Sequence, residues 1–156
     1  MLFVFFFQAE DGIRDYDVTG VQSVLFRSHN QRCLVPALGY YEWKTEHKMK
    51  QPYFIRPIDS SPLVFGGLYE PSRGEDIPAS CTILTMPATE HMTDLHNRMP
   101  VMFQGEAAQE WLSASTNDAK SILLGNRTMD FQVYQVDRSV NNVRTQGSAL
   151  IEPVGT

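Results

Sequence analysis

Cysteine is scarce in this sequence, with only Cys33 and Cys81 among 156 residues. Two cysteines do not make the disulfide framework of small secreted domains, so we expect a reduced, cytoplasmic setting. Basic residues are not in excess either, because 13 Lys and Arg stand against 18 Asp and Glu, for a net charge of −5. No overall positive field therefore indicates a nucleic-acid partner, although an acidic protein can still carry a local basic groove.

Long apolar runs are also absent. The opening run, residues 2–7, is short and has no Lys or Arg before it. A secretory signal needs a basic front and about 7–15 apolar residues, and a transmembrane helix needs about 20, so we expect neither. The sequence has no Cys and His cluster at zinc spacing and no glycine-rich phosphate loop.

What the chain does have at its start is an unusual block, MLFVFFFQAEDGIRDYDVTG. The segment QAEDGIRD resembles the translation of a sequencing-library adapter, and DVTGVQ and LFRS resemble the adapter's continuation. We therefore expect residues 1–28 to be non-native and the fold to begin near His29. The alternative is a genuine strand and loop, because LFVFFF has the pattern of a buried strand.

Short apolar and aromatic runs dominate the rest of the chain. Nine prolines and ten glycines indicate many turns rather than a helical bundle. The runs with strand character are residues 32–38, 39–43, 51–57, 62–70, 81–86 and 131–136, and the helical patterns are 88–96, 105–114 and 117–125. We expect an α+β fold with a largely antiparallel, barrel-like sheet and two or three short helices.

Glu42 lies between two aromatic residues in the run GYYEW. A carboxylate in apolar surroundings has a raised pKa, which suits a general acid or base. Strand residues alternate between faces, so Glu42 can equally point to solvent while its aromatic neighbours pack. The pattern leaves both interpretations open.

A second group of candidates lies in and before the segment TDLHNRMP. His96 follows a predicted helical turn, where an imidazole can donate a proton near pH 7 or can simply be a surface histidine. Arg98 suits phosphate binding, or else it pairs with Asp94 on the neighbouring turn. Thr85, at the end of a predicted strand, can donate to a phosphate or lie at the edge of the core.

Three sequence blocks occur in order: RCLVPALGYYEW, TILTMPATEHMTDLHNRMPV, and the closing VNNV with LIEPV. Together they resemble the SRAP family, the SOS-response-associated peptidases that act as abasic-site-processing proteins. PYFIRP and FGGLYE match the family's intermediate strands, so the resemblance runs from about Arg32 to Val154. Leu38 stands where the family commonly has a polar residue, and Asn97 where it commonly has Asp; neither position bears on the implied chemistry.

The resemblance implies that the family's members link covalently to abasic sites in single-stranded DNA. Their nucleophile is a cysteine exposed as the first residue, whose amine and thiol capture the sugar aldehyde as a thiazolidine. Glu42 and His96 match the catalytic glutamate and histidine, and Thr85 and Arg98 match positions near the DNA backbone. The resemblance implies no metal and no cofactor, and we expect a monomer in the cytoplasm, associated with the nucleoid when bound to DNA.

The family's domain has a substantial segment before the block that begins with RCLVPA, here called the RC-VPA block. That segment contains the nucleophile. We therefore expect residues 29–156 to be the C-terminal two-thirds of one SRAP domain, and the printed chain to be inactive. Cys33 and Cys81 do not substitute, because their amines lie in peptide bonds. The alternatives are a noncatalytic single-stranded nucleic-acid-binding module and a nonfunctional fragment with unpaired strand edges.

Overall fold

The computed structural model describes residues 5–6, 31–76, 78–125 and 129–155. The segment predicted to be adapter-derived lies outside these residues, except for one two-residue strand. The strands are β1 (Phe5–Phe6), β2 (Arg32–Ala37), β3 (Tyr40–Glu46), β4 (Met49–Pro57), β5 (Leu63–Glu70), β6 (Ser80–Ile83), β7 (Thr85–Pro87), β8 (Arg98–Pro100), β9 (Met102–Phe103) and β10 (Phe131–Gln135). The helices are α1 (Glu106–Ser113) and α2 (Thr116–Gly125), with 3-10 turns at Glu90–Met92, Arg138–Asn141 and Ser148–Ile151.

The first sheet has the strand order β1-β3-β4-β10. Its strands pair antiparallel, except that β1 runs parallel to β3. The β3–β4 hairpin turns at His47 and Lys48, whose φ angles are 48° and 67°. Positive φ at both central residues is typical of a type I′ turn, whose twist matches that of the flanking strands. The hairpin register places Glu42 opposite Tyr53.

The second sheet is centred on β5. This strand pairs antiparallel with β2 along one edge and with β6 and β9 along the other. A Cβ atom on Gly66 would come within 2.5 Å of the Phe103 ring, and one on Gly67 within 2.7 Å of the Thr82 carbonyl oxygen. The Gly-Gly pair is therefore a point of close approach between β5 and its neighbours.

The predicted α+β class with mostly antiparallel strands is confirmed, but the predicted barrel-like closure is not observed. In the described residues the strands form three separate sheets, the third being the antiparallel pair β7-β8. The chain changes its backbone hydrogen-bonding partner at Leu84. Its N–H donates to the Gly66 carbonyl at 2.9 Å, while its own carbonyl accepts from the Val101 N–H at 2.8 Å. The strand predicted at 81–86 is divided there into β6 and β7.

Both longer helices lie where the sequence predicted them. The helix predicted at 88–96 is instead the single 3-10 turn Glu90–Met92, and an isolated bridge joins Val136 to Pro153 near the C-terminus. The buried face of α1 is narrow. Trp111 is fully buried, whereas Leu112 is 50% exposed.

Three apolar clusters hold these elements together. The central core lies between the first and second sheets and includes Tyr40, Phe65 and three methionines. The helix core packs α1 and α2 against β5 and β9, with the Trp111 and Phe103 rings stacked at 5.5 Å. The outer core covers the opposite face of the first sheet; its buried members are Tyr41, Phe54, Val136 and Val140. The first sheet is thus covered on both faces.

We predict that Gly39→Ala destabilises the fold by about 1–3 kcal/mol, the usual cost of overpacking. A Cβ atom at this position would lie 2.4 Å from the Phe54 ring and 2.5 Å from the Ile55 carbonyl oxygen. The measurement is urea unfolding. The control is Leu38→Ala at the neighbouring residue, which is 42% exposed and should change the free energy of unfolding by less than about 0.5 kcal/mol. Equal effects of the two substitutions would contradict the packing argument.

Candidate functional site

Glu42 lies on the face of β3 that is turned toward the central core. Tyr40 shares this face and is buried in the central core, whereas Tyr41 and Trp43 pack in the outer core on the other side. Glu42 itself is half-buried at the rim of the sheet. Its aromatic neighbours do pack on the opposite face, but the face that Glu42 occupies is also covered.

Burial raises the pKa of the Glu42 carboxyl group above its ordinary value. Three smaller effects lower it: a hydrogen bond from the Trp43 backbone N–H to Oε1 at 3.1 Å, the charge of His96, and the charge of Lys50. Because desolvation is the largest of these effects, the neutral acid is favoured more than in water. A carboxyl group with a raised pKa is better suited than an ordinary glutamate to accept and return a proton.

His96 follows the 3-10 turn, and its backbone N–H donates to the Met92 carbonyl at 3.0 Å. The imidazole is half-buried, and its Nδ1 lies 3.1 Å from both the backbone nitrogen and the carbonyl oxygen of Arg98. An unprotonated Nδ1 accepts from that N–H, and a protonated Nδ1 donates to that carbonyl. The main chain of Arg98 thus satisfies Nδ1 in either protonation state. Nε2 has no hydrogen-bond partner among the described residues.

Arg98 and Thr85 are joined directly. The Arg98 Nε donates to the Thr85 hydroxyl at 3.0 Å, and Nη2 donates to that hydroxyl and to the Thr85 carbonyl, both at 2.8 Å. The β7–β8 pair brings the two residues together across the hairpin. The alternative pairing of Arg98 with Asp94 does not form. Within the described part of the chain the one ion pair joins Arg73 to Glu70.

The four predicted site residues therefore form one connected group. Glu42 and His96 are close enough for the charge of His96 to lower the pKa of Glu42. His96 and Arg98 are joined through the Arg98 main chain, and Arg98 is joined to Thr85 through its side chain. A carboxyl group, an imidazole and a guanidinium group thus lie in one neighbourhood, which can combine proton transfer with anion binding.

The two cysteines are free thiols on β2 and β6, strands that flank β5. Burial, and then the charge of Cys81, raise the pKa of the Cys33 thiol, so its reactive thiolate is disfavoured. Within the described residues no three His, Cys, Asp or Glu side chains are grouped closely enough to hold a metal ion. In that same part of the chain, no helix has the length and apolarity needed to cross a membrane.

Several neighbours of the site were missed by sequence reasoning. The Tyr53 hydroxyl donates to Glu46 Oε1 at 2.8 Å and accepts from Gln135 Nε2 at 2.9 Å, so it ties three strands together on the face of Glu42. The register of the β3–β4 hairpin would have placed Tyr53 opposite Glu42. The sequence does not indicate this register, because His47 and Lys48 lack the Asn-Gly signature of a type I′ turn. No sequence signal indicates that the main chain of Arg98 contacts the His96 imidazole.

An open cavity of about 570 Å³ lies beside the 3-10 turn, lined in part by Ile58, Met92, Met129 and Phe131. None of the four predicted site residues lines this cavity. Its walls are mostly apolar, whereas the paired groups described above are charged and hydrogen-bonded. The cavity therefore does not coincide with the candidate site.

We predict that Glu42→Gln stabilises the fold at pH 8 and has almost no such effect at pH 3. Because burial raises the folded-state pKa of Glu42, stability is lost as pH rises through that value, and the neutral amide avoids this loss. Below the ordinary glutamate pKa of about 4.3, both side chains are neutral and the difference disappears. Thermal unfolding at both pH values tests this, with the exposed Glu152→Gln as control. A stabilisation of equal size at both pH values would rule out the burial argument.

A family model described as SOS response associated peptidase (SRAP) matches residues 19–143. The solved structure of a Bacteroides thetaiotaomicron protein superimposes with a TM-score of 0.70 at 20% identity, covering 85% of this chain and 63% of that one. A phage-related protein from Bordetella bronchiseptica superimposes with a TM-score of 0.60 at 32% identity, covering 75% of this chain and 62% of that one.

Curated relatives agree with this match. Abasic site processing protein YoqW from Bacillus subtilis (strain 168) is 37% identical over 129 residues, which cover 79% of this chain and 58% of that protein. Abasic site processing protein YedK from Escherichia coli (strain K12) is 34% identical over 128 residues, with the same coverage of 79% and 58%. The chain thus spans 58% of the length of these two bacterial relatives. On this match, the chain belongs to the SOS response associated peptidase (SRAP) family.

Proposed function

We propose that this chain is the acid–base and DNA-contacting part of a protein that captures abasic sites in single-stranded DNA covalently. The observation that carries the proposal is the partly desolvated carboxyl group of Glu42, which lies close enough to His96 for the charge of the imidazole to lower its pKa. Relatives named as abasic site processing proteins support the substrate class. The site acts without a metal or cofactor, in a cytoplasmic monomer that is associated with the nucleoid when bound to DNA.

The proposed reaction begins at the sugar of the abasic site. His96 donates a proton to the ring oxygen, which opens the hemiacetal to the aldehyde. Because the main chain of Arg98 holds Nδ1, Nε2 is the nitrogen that faces the substrate. With Nδ1 satisfied whether or not it carries a proton, the imidazole can exchange a proton at Nε2 without breaking its anchor.

The covalent step joins the aldehyde to a cysteine that carries a free amine. The amine adds to the carbonyl carbon, loss of one water leaves an imine, and the thiol adds to the imine carbon to close a thiazolidine. Glu42 accepts the proton from the attacking amine and returns it to the departing hydroxyl group. Cys33 and Cys81 cannot be this nucleophile, because only a cysteine at a chain start has an amine and a thiol on adjacent carbons.

Arg98 and Thr85 form the proposed contact to the DNA backbone. Three hydrogen bonds to Thr85 hold Nε and Nη2 in place, so the guanidinium group is preorganised. Its Nη1 has no hydrogen-bond partner among the described residues, and Arg98 is exposed. Arginine is well suited to binding phosphate, so a backbone phosphate of DNA fits the free edge of this guanidinium group.

A noncatalytic single-stranded DNA-binding module is the second candidate function. The observation that favours it is the hydrogen-bonded pair of Arg98 and Thr85, which can bind a phosphate without any nucleophile. Binding without a preference for abasic sites, and with strong salt dependence, would favour this candidate.

We predict that a polypeptide of the printed sequence forms no cross-link to abasic single-stranded DNA that survives denaturing electrophoresis. Replacing residues 1–28 with an SRAP front segment that starts with cysteine should restore cross-linking. In that extended chain Glu42→Gln or His96→Ala should slow the reaction roughly 10²–10⁴-fold, the usual contribution of acid–base catalysis. Glu46→Gln and His91→Ala are the matched controls and should leave the rate unchanged. Unchanged rates in both test variants would refute the assigned roles.

We predict that Arg98→Ala in the extended chain weakens binding to single-stranded DNA and reduces its salt dependence. Loss of one phosphate contact should lower the slope of log K against log salt by about 0.7. Fluorescence anisotropy at several salt concentrations measures this slope. The control is Arg73→Ala, because Arg73 is exposed but already paired with Glu70. A slope that falls equally in both variants would show that Arg98 has no specific contact.

A further inference from the structure

Arg32, the first residue of β2, is a buried arginine with 7% of its surface exposed. Its Nη1 donates to the carbonyls of Trp111 and Ala114 at 3.0 and 2.6 Å. These carbonyls lie at the C-terminal end of α1, where the helix has unpaired acceptors and a partial negative charge. The guanidinium carbon also lies 5.2 Å from the centre of the Trp111 ring. Arg32 therefore joins the start of β2 to the end of α1.

The other edge of the same guanidinium group has no acceptor among the described residues. Nε and Nη2 of Arg32 are both buried, and neither has a hydrogen-bond partner in that part of the chain. These two nitrogens point to the same side and form the fork that binds a carboxylate with two parallel hydrogen bonds. Buried donors are almost always satisfied, and a buried charge is normally paired, so an unpartnered fork at this position is unusual.

No described residue compensates the charge of Arg32. The one ion pair in the described part of the chain is Arg73–Glu70, and burial alone lowers the pKa of Arg32. Arg32 lies at the point where the described chain resumes, next to Gln31. The relatives are much longer, because this chain spans 58% of YoqW and of YedK. An acceptor from the rest of a longer domain would reach the fork at the entry to β2.

We propose that the Nε and Nη2 edge of Arg32 is a carboxylate-binding site, whose occupant is an Asp or Glu side chain from the segment that SRAP domains carry before the RC-VPA block. The carboxylate accepts one hydrogen bond from each nitrogen and neutralises the buried charge. Arg32 then links three parts of the domain: that segment, β2 and α1. This proposal concerns assembly of the domain, so it stands or falls independently of the DNA chemistry.

The test compares Arg32→Met in two chains, the printed chain and one in which residues 1–28 are replaced by the corresponding front segment of YoqW. The fork is occupied only in the extended chain. There Arg32→Met should lower the folding equilibrium constant roughly tenfold more than in the printed chain, because hydrogen bonds to charged groups are the strong ones. The control is Arg56→Met, which removes a half-buried guanidinium from the Tyr134 ring and should act equally in both chains. An equal effect of Arg32→Met in both chains would overturn the proposal.

Replacing each Asp and Glu of the grafted segment by Asn or Gln, in turn, identifies the occupant. One of these substitutions should shift the ¹⁵N–¹H signal of Arg32 Nε in the otherwise unchanged extended chain, a measurement that does not depend on Arg32→Met folding. If none shifts this signal, water satisfies the fork and the proposal fails. Saturable binding of formate to the printed chain, with no shift from any grafted carboxylate, would assign the site to a free anion and also overturn the polypeptide occupant.

Discussion

Coverage of both faces of the first sheet is the constraint on which the candidate site depends. Tyr41 and Phe54 are buried beneath the C-terminal 3-10 turns, and Tyr40 is buried against the second sheet, with its ring 6.0 Å from that of Phe65. Polar side chains on a strand that is packed on both faces are seldom fully hydrated. Glu42 lies at the rim of this arrangement, so its carboxyl group is partly desolvated while one edge stays accessible. Its raised pKa is a consequence of how the two sheets pack.

The β7–β8 hairpin provides the second part of the site with very few residues. It begins at Leu84, where the chain leaves β5, and it places Thr85 beside the Arg98 guanidinium. The same residue, Arg98, uses its main chain to hold the His96 ring. One arginine therefore takes part in holding both the His96 imidazole and its own guanidinium group in place. Such double use explains why a short loop can position a site without a deep pocket.

Much of this architecture was predictable, because strand patterns, proline boundaries and helix formers act over short distances. The strands around Glu42 and both longer helices lie where the sequence placed them. The predictions failed where the structure depends on pairing between segments that are far apart in the chain. Leu84 divides a continuous β-branched run because Gly66 and Val101 pair with it from different elements. The His47–Lys48 turn carries no turn signature, and closure into a barrel depends on sheet edges that local patterns do not specify.

The amino-acid sequence by itself determined the family, the α+β class and the identity of the four candidate residues, because motifs and local propensities are written in consecutive residues. Only the tertiary structure decided the surroundings and hydrogen-bond partners of each candidate. Glu42 is partly desolvated, Arg98 bonds Thr85 rather than Asp94, and His96 turns Nε2 away from its anchor. The unpartnered fork of Arg32 is likewise visible only in three dimensions. Burial, charge proximity and hydrogen-bond geometry arise between segments far apart in the chain, so local sequence carries no record of them.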